Sequence, residues 1–318
     1  MVSIGLVGNG VVGKRIATRL PSVVDSLSIH VTDARRDPLP WHVSVAVLAN
    51  GGAHAALAES FLRRGIAVVS VTDDLDDVRA MLDLDDVARD SGVPLVVGAG
   101  MSPGLTVLLA RLLAAPLASC DEIHIAVHGT AGPACARAHH GALSGRAVGI
   151  HDGSWIQRPA GSGRELCWFP EPVGAYDCYL AARPAPVLVH RAFPDVRRIS
   201  ERVSANRRDR LTAWLPMLSP PHVEGGVGAV RVEVRGAAAD GARVTNVVGV
   251  AELVGTAAAA TAGAFVVEAL AGRLPAGVVG PADDGVDTIE VLRTVERLGV
   301  RIQEFTGVPA EQRISANP

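Results

Sequence analysis

The chain has 318 residues, 48% hydrophobic and 20% charged, enough apolar material for two ordinary domains and too much for a mainly disordered protein. A formal net charge of −3, with no basic stretch interleaved with aromatics, argues against a nucleic-acid partner. The chain opens on a strand pattern with no basic and apolar leader, which points to a cytoplasmic protein.

From residue 1 to about 119, apolar runs at 3–7, 27–32, 43–48, 66–71 and 94–98 alternate with helical spacings at 11–20, 53–64 and 75–90. Short Val-, Ile- and Leu-rich runs suit strands buried on both faces, and their alternation with helices predicts a doubly wound parallel α/β sheet. After Cys120 the texture changes. Ile123, Ile125 and Val127 alternate with Glu122, His124 and Ala126, and Asp152-Gly153 and Asp240-Gly241 sit between strand patterns as hairpin turns. This predicts a second α+β domain with a mainly antiparallel sheet over 120–254, with long loops where Pro and Gly crowd 159–186. A helix over 254–272 carries Thr256, Thr261 and Glu268, so it reads as packed against protein, and no membrane partner is expected. The segment 255–318 is expected to return to the first domain, looping through Pro275 and Pro281 before a last helix near 286–298.

The strongest chemical signal is Gly8-Asn9-Gly10-Val11-Val12-Gly13, a G-x-G-x-x-G placed between the first strand and the first helix. The first glycine allows the tight turn, the second lets backbone approach a pyrophosphate, and the third lets helix pack on strand. Asp33 ends the second strand, twenty positions after Gly13, where a carboxylate accepts from ribose hydroxyls. Arg35 and Arg36 follow it and suit an adenine face or a 2′-phosphate, so NAD or NADP is the expected cofactor. Asn50-Gly51 after the third strand and Thr72 after the fourth lie on the same carboxyl edge; Asp74 reads as a helix N-cap. Part of this pattern also occurs in SAM-dependent transferases, and a non-catalytic NAD(P)-binding sensor or scaffold fits it as well.

The segment Gly98-Ala99-Gly100-Met101-Ser102-Pro103-Gly104-Leu105 resembles the G-x-x-P-G-L turn of the saccharopine dehydrogenase-like family, and 68–73, ending in Asp73, resembles that family's strand with a terminal Asp. The resemblance covers most of the first 115 residues and, weakly, the Ala-rich tail. It implies an NAD(P)-dependent oxidoreductase acting at a C–N bond of a small amino or imino acid. It also implies Gly100, Met101, Pro103 and Gly104 near the nicotinamide end of the cofactor, and a homodimer through the second sheet.

The substrate side is expected in the second domain. His128 ends its first strand, and Thr130 is read as the cap of a helix that carries Arg137, His139 and His140; all three histidines are expected where the second domain meets the cleft. Arg137 suits a substrate carboxylate. His128 is the first choice of proton donor, with His140 next and Tyr176 as a further donor. Trp155 and Arg164 are expected to line the pocket, because the stretch from Trp155 to Tyr179 holds five of the eleven aromatic residues. Lys14 is the only lysine and sits at the cofactor helix, so no lysine base is available to the second domain. Cys120, Cys135, Cys167 and Cys178 show no metal spacing; free thiols and no metal are expected.

Overall fold

The computed structural model describes residues 2–33 and 42–304. The first half builds strands β1 (Val2–Val7), β2 (Leu27–Thr32), β3 (Val45–Leu48), β4 (Ala67–Ser70) and β5 (Pro94–Val97). Between and after them come α1 (Val11–Arg19), α2 (Ala55–Leu62), α3 (Leu75–Leu82), α4 (Asp85–Asp90) and α5 (Leu105–Ala114). β3 and β4 are buried along their whole length, because helices cover both faces of the sheet. The single helix expected over 75–90 is two, since Leu84 takes a non-helical ψ of 10°.

The second half runs β6 (Ser119–His128), α6 (Pro133–Gly141), β7 (Arg146–His151), β8 (Ser154–Pro159), β9 (Glu165–Phe169), β10 (Gly174–Leu180) and α7 (Ala185–Ala192). It continues through β11 (Arg198–Ser204), α8 (Arg207–Thr212), β12 (Val227–Ala237), β13 (Arg243–Leu253) and α9 (Val254–Leu270), then β14 (Gly277–Val279), α10 (Thr288–Arg297) and β15 (Gln303–Glu304). Asp152 and Gly153 take the positive φ values, 49° and 78°, that a two-residue hairpin needs.

Two sheets result. The parallel one has the order β14-β5-β4-β3-β1-β2, and its strand order reverses between β1 and β3, the point where such sheets bind ligands. Its sixth strand, β14, lies where only loop was expected; three residues are too few for a readable period. The second sheet has the order β15-β13-β12-β6-β11-β10-β9 and is antiparallel except for the pair β6 and β11.

The stretch expected as long loops instead holds the hairpin β9–β10, with Cys167 opposite Tyr176. This hairpin curls over the outer face of its own sheet. Pro170, just beyond β9, lies so close to Gly249 of β13 that a Cβ there would fall 2.5 Å from its ring. Cys167, Phe169 and Cys178 thereby cover Ala126 and Ala229 in a small second core. The opposite face packs Ile123, Ile125, Val127, Val203 and Val232 into the main core shared with the parallel sheet and α5.

α9 links the two sheets. Fourteen of its residues, including Gly255, Thr256, Thr261 and Gly263, are buried, so it runs through protein rather than along it. Small residues permit the close approach: Gly255 sits against Val11 of α1, and Gly263 against Leu298 and Leu20. The helix's only carboxylate, Glu268, is buried and matched by Arg273 through two hydrogen bonds of 2.7 Å. Among the described residues no helix is long and apolar enough to cross a membrane.

Candidate active site

The three glycines of the β1–α1 loop face three different surroundings. A Cβ on Gly8, at φ +112°, would lie 2.6 Å from Ala49 C and Asn50 N; on Gly13 it would lie 2.1 Å from the Gly8 carbonyl oxygen. Both positions are closed by backbone. A Cβ on Gly10 would meet nothing within 4 Å. Gly10 is also the N-cap of α1, and no side chain caps this helix. The first amides of α1 therefore point, unoccupied by a cap, toward open space beside exposed Asn9 and Gly10. Val11 and Val12, partly buried, set the helix on its core. Uncapped amides facing open space at the reversal of strand order are what an anion such as a diphosphate requires.

Neighbouring loops form its walls. Asp33 is exposed at the end of β2, while Arg35 and Arg36 lie outside the described residues. After β3, Asn50 and Gly51 are held by His54, which donates from Nε2 to the Asn50 carbonyl at 2.9 Å and accepts at Nδ1 from the Ser70 hydroxyl at 2.7 Å. Asp77 accepts the His54 and Ala55 amides at 2.8 and 3.0 Å. Burial lowers the His54 pKa, so the ring stays neutral and structural. The Asn50 Oδ1 is buried without a hydrogen-bond partner in this wall. Thr72 is buried, and Asp74 caps α3, accepting from the amides of Asp76 and Asp77.

The turn after β5 closes on itself through the Gly100 amide donating to the Pro103 carbonyl at 2.9 Å. Gly104 rather than Pro103 stands at the helix boundary, as the N-cap of α5 at φ +128°. No side chain fits there, because a Cβ would fall 2.1 Å from the Gly100 carbonyl oxygen. Met101 is buried, so the turn offers mainly its backbone. A buried polar cluster holds it against the second sheet. Arg183, between β10 and α7, pairs with Asp73 at 2.7 Å and donates to the Ser102 carbonyl at 2.9 Å. Glu201 of β11 accepts the Ser102 hydroxyl at 2.8 Å and the Ala185 amide at 3.1 Å. Burial pushes the Glu201 carboxyl up, and Arg183 opposes that shift.

Beside this cluster β6 and α6 place their histidines. His128 Nδ1 lies 2.9 Å from the Ser204 hydroxyl, and its ring stacks on Tyr176 at 4.0 Å between centroids. With Nδ1–H donating to the Ser204 hydroxyl, the neutral ring keeps its lone pair on Nε2, for which the described residues provide no partner. Burial lowers the His128 pKa and keeps the ring neutral near pH 7. His139 donates from Nε2 to the Ser204 carbonyl at 2.9 Å. It lies within the field of Arg183, Asp73 and His128. Cys135, four residues before His139 on the same face of α6, also feels Asp73 and Arg183; burial pushes its thiol up to about 11.

Burial is the main reason that His139 falls from the ordinary histidine range near 6.5 to about 4, with the Ser204 bond opposing it. Because the folded pKa is below the unfolded one, this contribution is complete above pH 6.5 and is lost as pH falls toward 4. Urea unfolding at pH 7.5 and 5 should show the wild type losing more stability than His139→Gln, by roughly 1–3 kcal/mol. Equal losses would contradict this.

The other predicted substrate residues lie elsewhere. His140 does not face the cleft; it is buried and donates from Nε2 to the Thr212 and Leu215 carbonyls, both at 3.1 Å. Arg137 is exposed, roughly 160° around α6 from Cys135. The face of this helix turned toward Asp73 and Arg183 carries Cys135 and His139, whereas the sequence reading placed Arg137 and His140 together. Thr130 is partly buried but caps nothing: Gly132 is the N-cap of α6, without a side-chain bond. Trp155 packs on His190 of α7, ring centroids 5.0 Å apart. It stands opposite Ile150, which pairs with Ile199, five residues or about 16 Å along β11 from Ser204. Arg164 pairs with Asp177 at 3.0 Å, on the opposite face of β10 from Tyr176. Arg183, Glu201 and Ser204 escaped the sequence reading. Among the described residues, no group of three or more His, Cys, Asp or Glu could hold a metal.

No family model and no curated protein matches the sequence. The fold is nonetheless shared with solved structures. Saccharopine dehydrogenase (L-Glu forming) from Saccharomyces cerevisiae aligns with a TM-score of 0.66 at 11% identity, over 96% of this chain and 100% of that one. C. glutamicum DAP dehydrogenase in complex with DAP aligns with a TM-score of 0.51 at 14% identity, over 91% of this chain and 95% of that one. An engineered D-amino acid dehydrogenase bound to NADP+ gives 0.50 at 12% identity, over 100% and 99%. The fold shared with these structures is a parallel Rossmann-like sheet followed by a mainly antiparallel one.

Proposed function

We propose that this chain is an NAD(P)-dependent oxidoreductase acting at a C–N bond of a small amino or imino acid, similar in kind to the saccharopine dehydrogenase-like family. The observation that carries the reading is the opening at Gly10, where uncapped amides of α1 face space that a Cβ would enter unhindered. The shared fold with dehydrogenases of saccharopine, DAP and D-amino acids supports the substrate class.

In this reading the backbone from Gly8 to Gly13 holds the diphosphate and Asp33 the adenosine ribose. Asn50, Gly51 and Thr72 line the path onward, and the Gly100–Gly104 turn borders the nicotinamide. The bound nicotinamide supplies or accepts the hydride. His128, fixed by Ser204 and Tyr176, takes up at Nε2 the proton that the substrate nitrogen gives up in oxidation and, once protonated, returns it in reduction. His139 and Cys135 border the same cleft.

Calorimetric titration with NADH, NADPH and SAM tests the cofactor. Initial rates over a panel of amino acids, and of keto acids with amines, test the reaction. Binding of NADH or NADPH with turnover on the panel is expected; binding of SAM alone would replace the reading with a transferase, and dinucleotide binding without turnover with a sensor.

A further inference from the structure

We propose that Arg183 is a positioning residue for the nicotinamide end of the dinucleotide, a role that rests on the dinucleotide reading above. It acts through Ser102 and Asp73, which follow β5 and β4, and holds both loops in one fixed relation to the second domain.

Its side chain is 6% exposed, and that of Glu201 is 0% exposed. The guanidinium spans the domain junction: one terminal nitrogen meets Asp73 at 2.7 Å, the other donates to the Ser102 carbonyl at 2.9 Å. Glu201 grips the same serine by its hydroxyl, at 2.8 Å, and the Thr106 hydroxyl donates to Ser102 Oγ at 3.1 Å. Ser102, in the middle of the turn, is therefore held at both its carbonyl and its side chain. Adhesion between domains alone is served as well or better by apolar packing, because buried charges lose their hydration. A planar fork with fixed donor directions sets geometry.

The turn's shape is fixed internally by Gly100 and Gly104, so the cluster sets where the turn sits. Asp73 and Ser102 follow strands two and three places from β1 in the sheet order, about 10 and 14 Å from the glycine loop. The clamp thus serves the far end of an extended dinucleotide and leaves the diphosphate cradle alone. The Arg183 Nε is buried without a hydrogen-bond partner, 3.9 Å from Glu201 Oε1, so the fork is aimed by its two terminal nitrogens.

Calorimetry on the full chain with NADH and with ADP-ribose, which lacks the nicotinamide, separates the two ends; NADPH and 2′-phospho-ADP-ribose are run in parallel. The wild type should bind the reduced dinucleotide more tightly than its truncated partner. Arg183→Lys keeps the charge and loses the fork; it should weaken dinucleotide binding by about ten-fold and leave the truncated ligand within about two-fold. Ser102→Ala, which keeps the Arg183 contacts, should move the same ratio in the same direction by less, and serves if the lysine variant does not fold. An equal change for both ligands, or no change for either, would overturn the role of Arg183 while sparing the dinucleotide reading. A wild type that binds neither NADH nor NADPH overturns both.

Discussion

His128→Asn should lower turnover by about 100-fold or more and leave the dinucleotide Kd within about two-fold. Asparagine keeps a polar group of similar reach near Ser204 but cannot exchange a proton. The loss should therefore fall on kcat, with folding and cofactor uptake intact. The ring is held on two sides, by the Ser204 hydroxyl at 2.9 Å and by Tyr176 stacked at 4.0 Å, so its Nε2 direction is defined. Burial lowers its pKa, so the neutral ring persists to pH values below the ordinary histidine range. Amine oxidation, which needs the neutral base, should then lose rate only on the acid side of that range. Steady-state rates followed by NAD(P)H absorbance decide the matter; a variant with wild-type turnover would remove His128 from the chemistry.

The second large effect concerns folding. Gly13→Ala should destabilise the protein by about 3 kcal/mol or more, read as a lower urea midpoint. The added Cβ would fall 2.1 Å from the Gly8 carbonyl oxygen, a backbone atom that cannot rotate away. Relief requires α1 to move off β1. α1 in turn carries Ile16, buried in the main core, and packs against α9 at Gly255. The displacement therefore spreads into the link between the two sheets. A variant as stable as the wild type would show that helix and strand are not packed as described.

Features whose causes are local were legible in the sequence. The glycine loop, the Asp152-Gly153 turn and the cap at Asp74 depend on a few adjacent residues, and each appears where its residues predict. α9 was legible because Ala, Gly and Thr with a single buried carboxylate suit a helix enclosed by protein. The β9–β10 hairpin was not, since Pro170 and Pro172 mark the segment as loop while its stability comes from Ala126 and Ala229 on distant strands. The site followed the same division. His128 and Tyr176 were chosen separately and meet. Their supports were hidden by sequence distance: Ser204 is 76 residues from His128, and Arg183 is 110 from Asp73. Arg137 and His140 lie away from the helix face that carries Cys135 and His139, because helical spacing identifies residues that share a face without saying where that face points.

Gly10→Val gives the most direct test of the dinucleotide site. The position has φ −81° and ψ −165°, open to any residue, and a Cβ there meets nothing within 4 Å, so folding stability should stay within about 1 kcal/mol of wild type. Titrated with NADH and NADPH, the folded variant should bind at least about 100-fold more weakly than the wild type, because the side chain enters the space left for the diphosphate. A stable Gly10→Val protein that binds dinucleotide as the wild type does would contradict the account at its foundation.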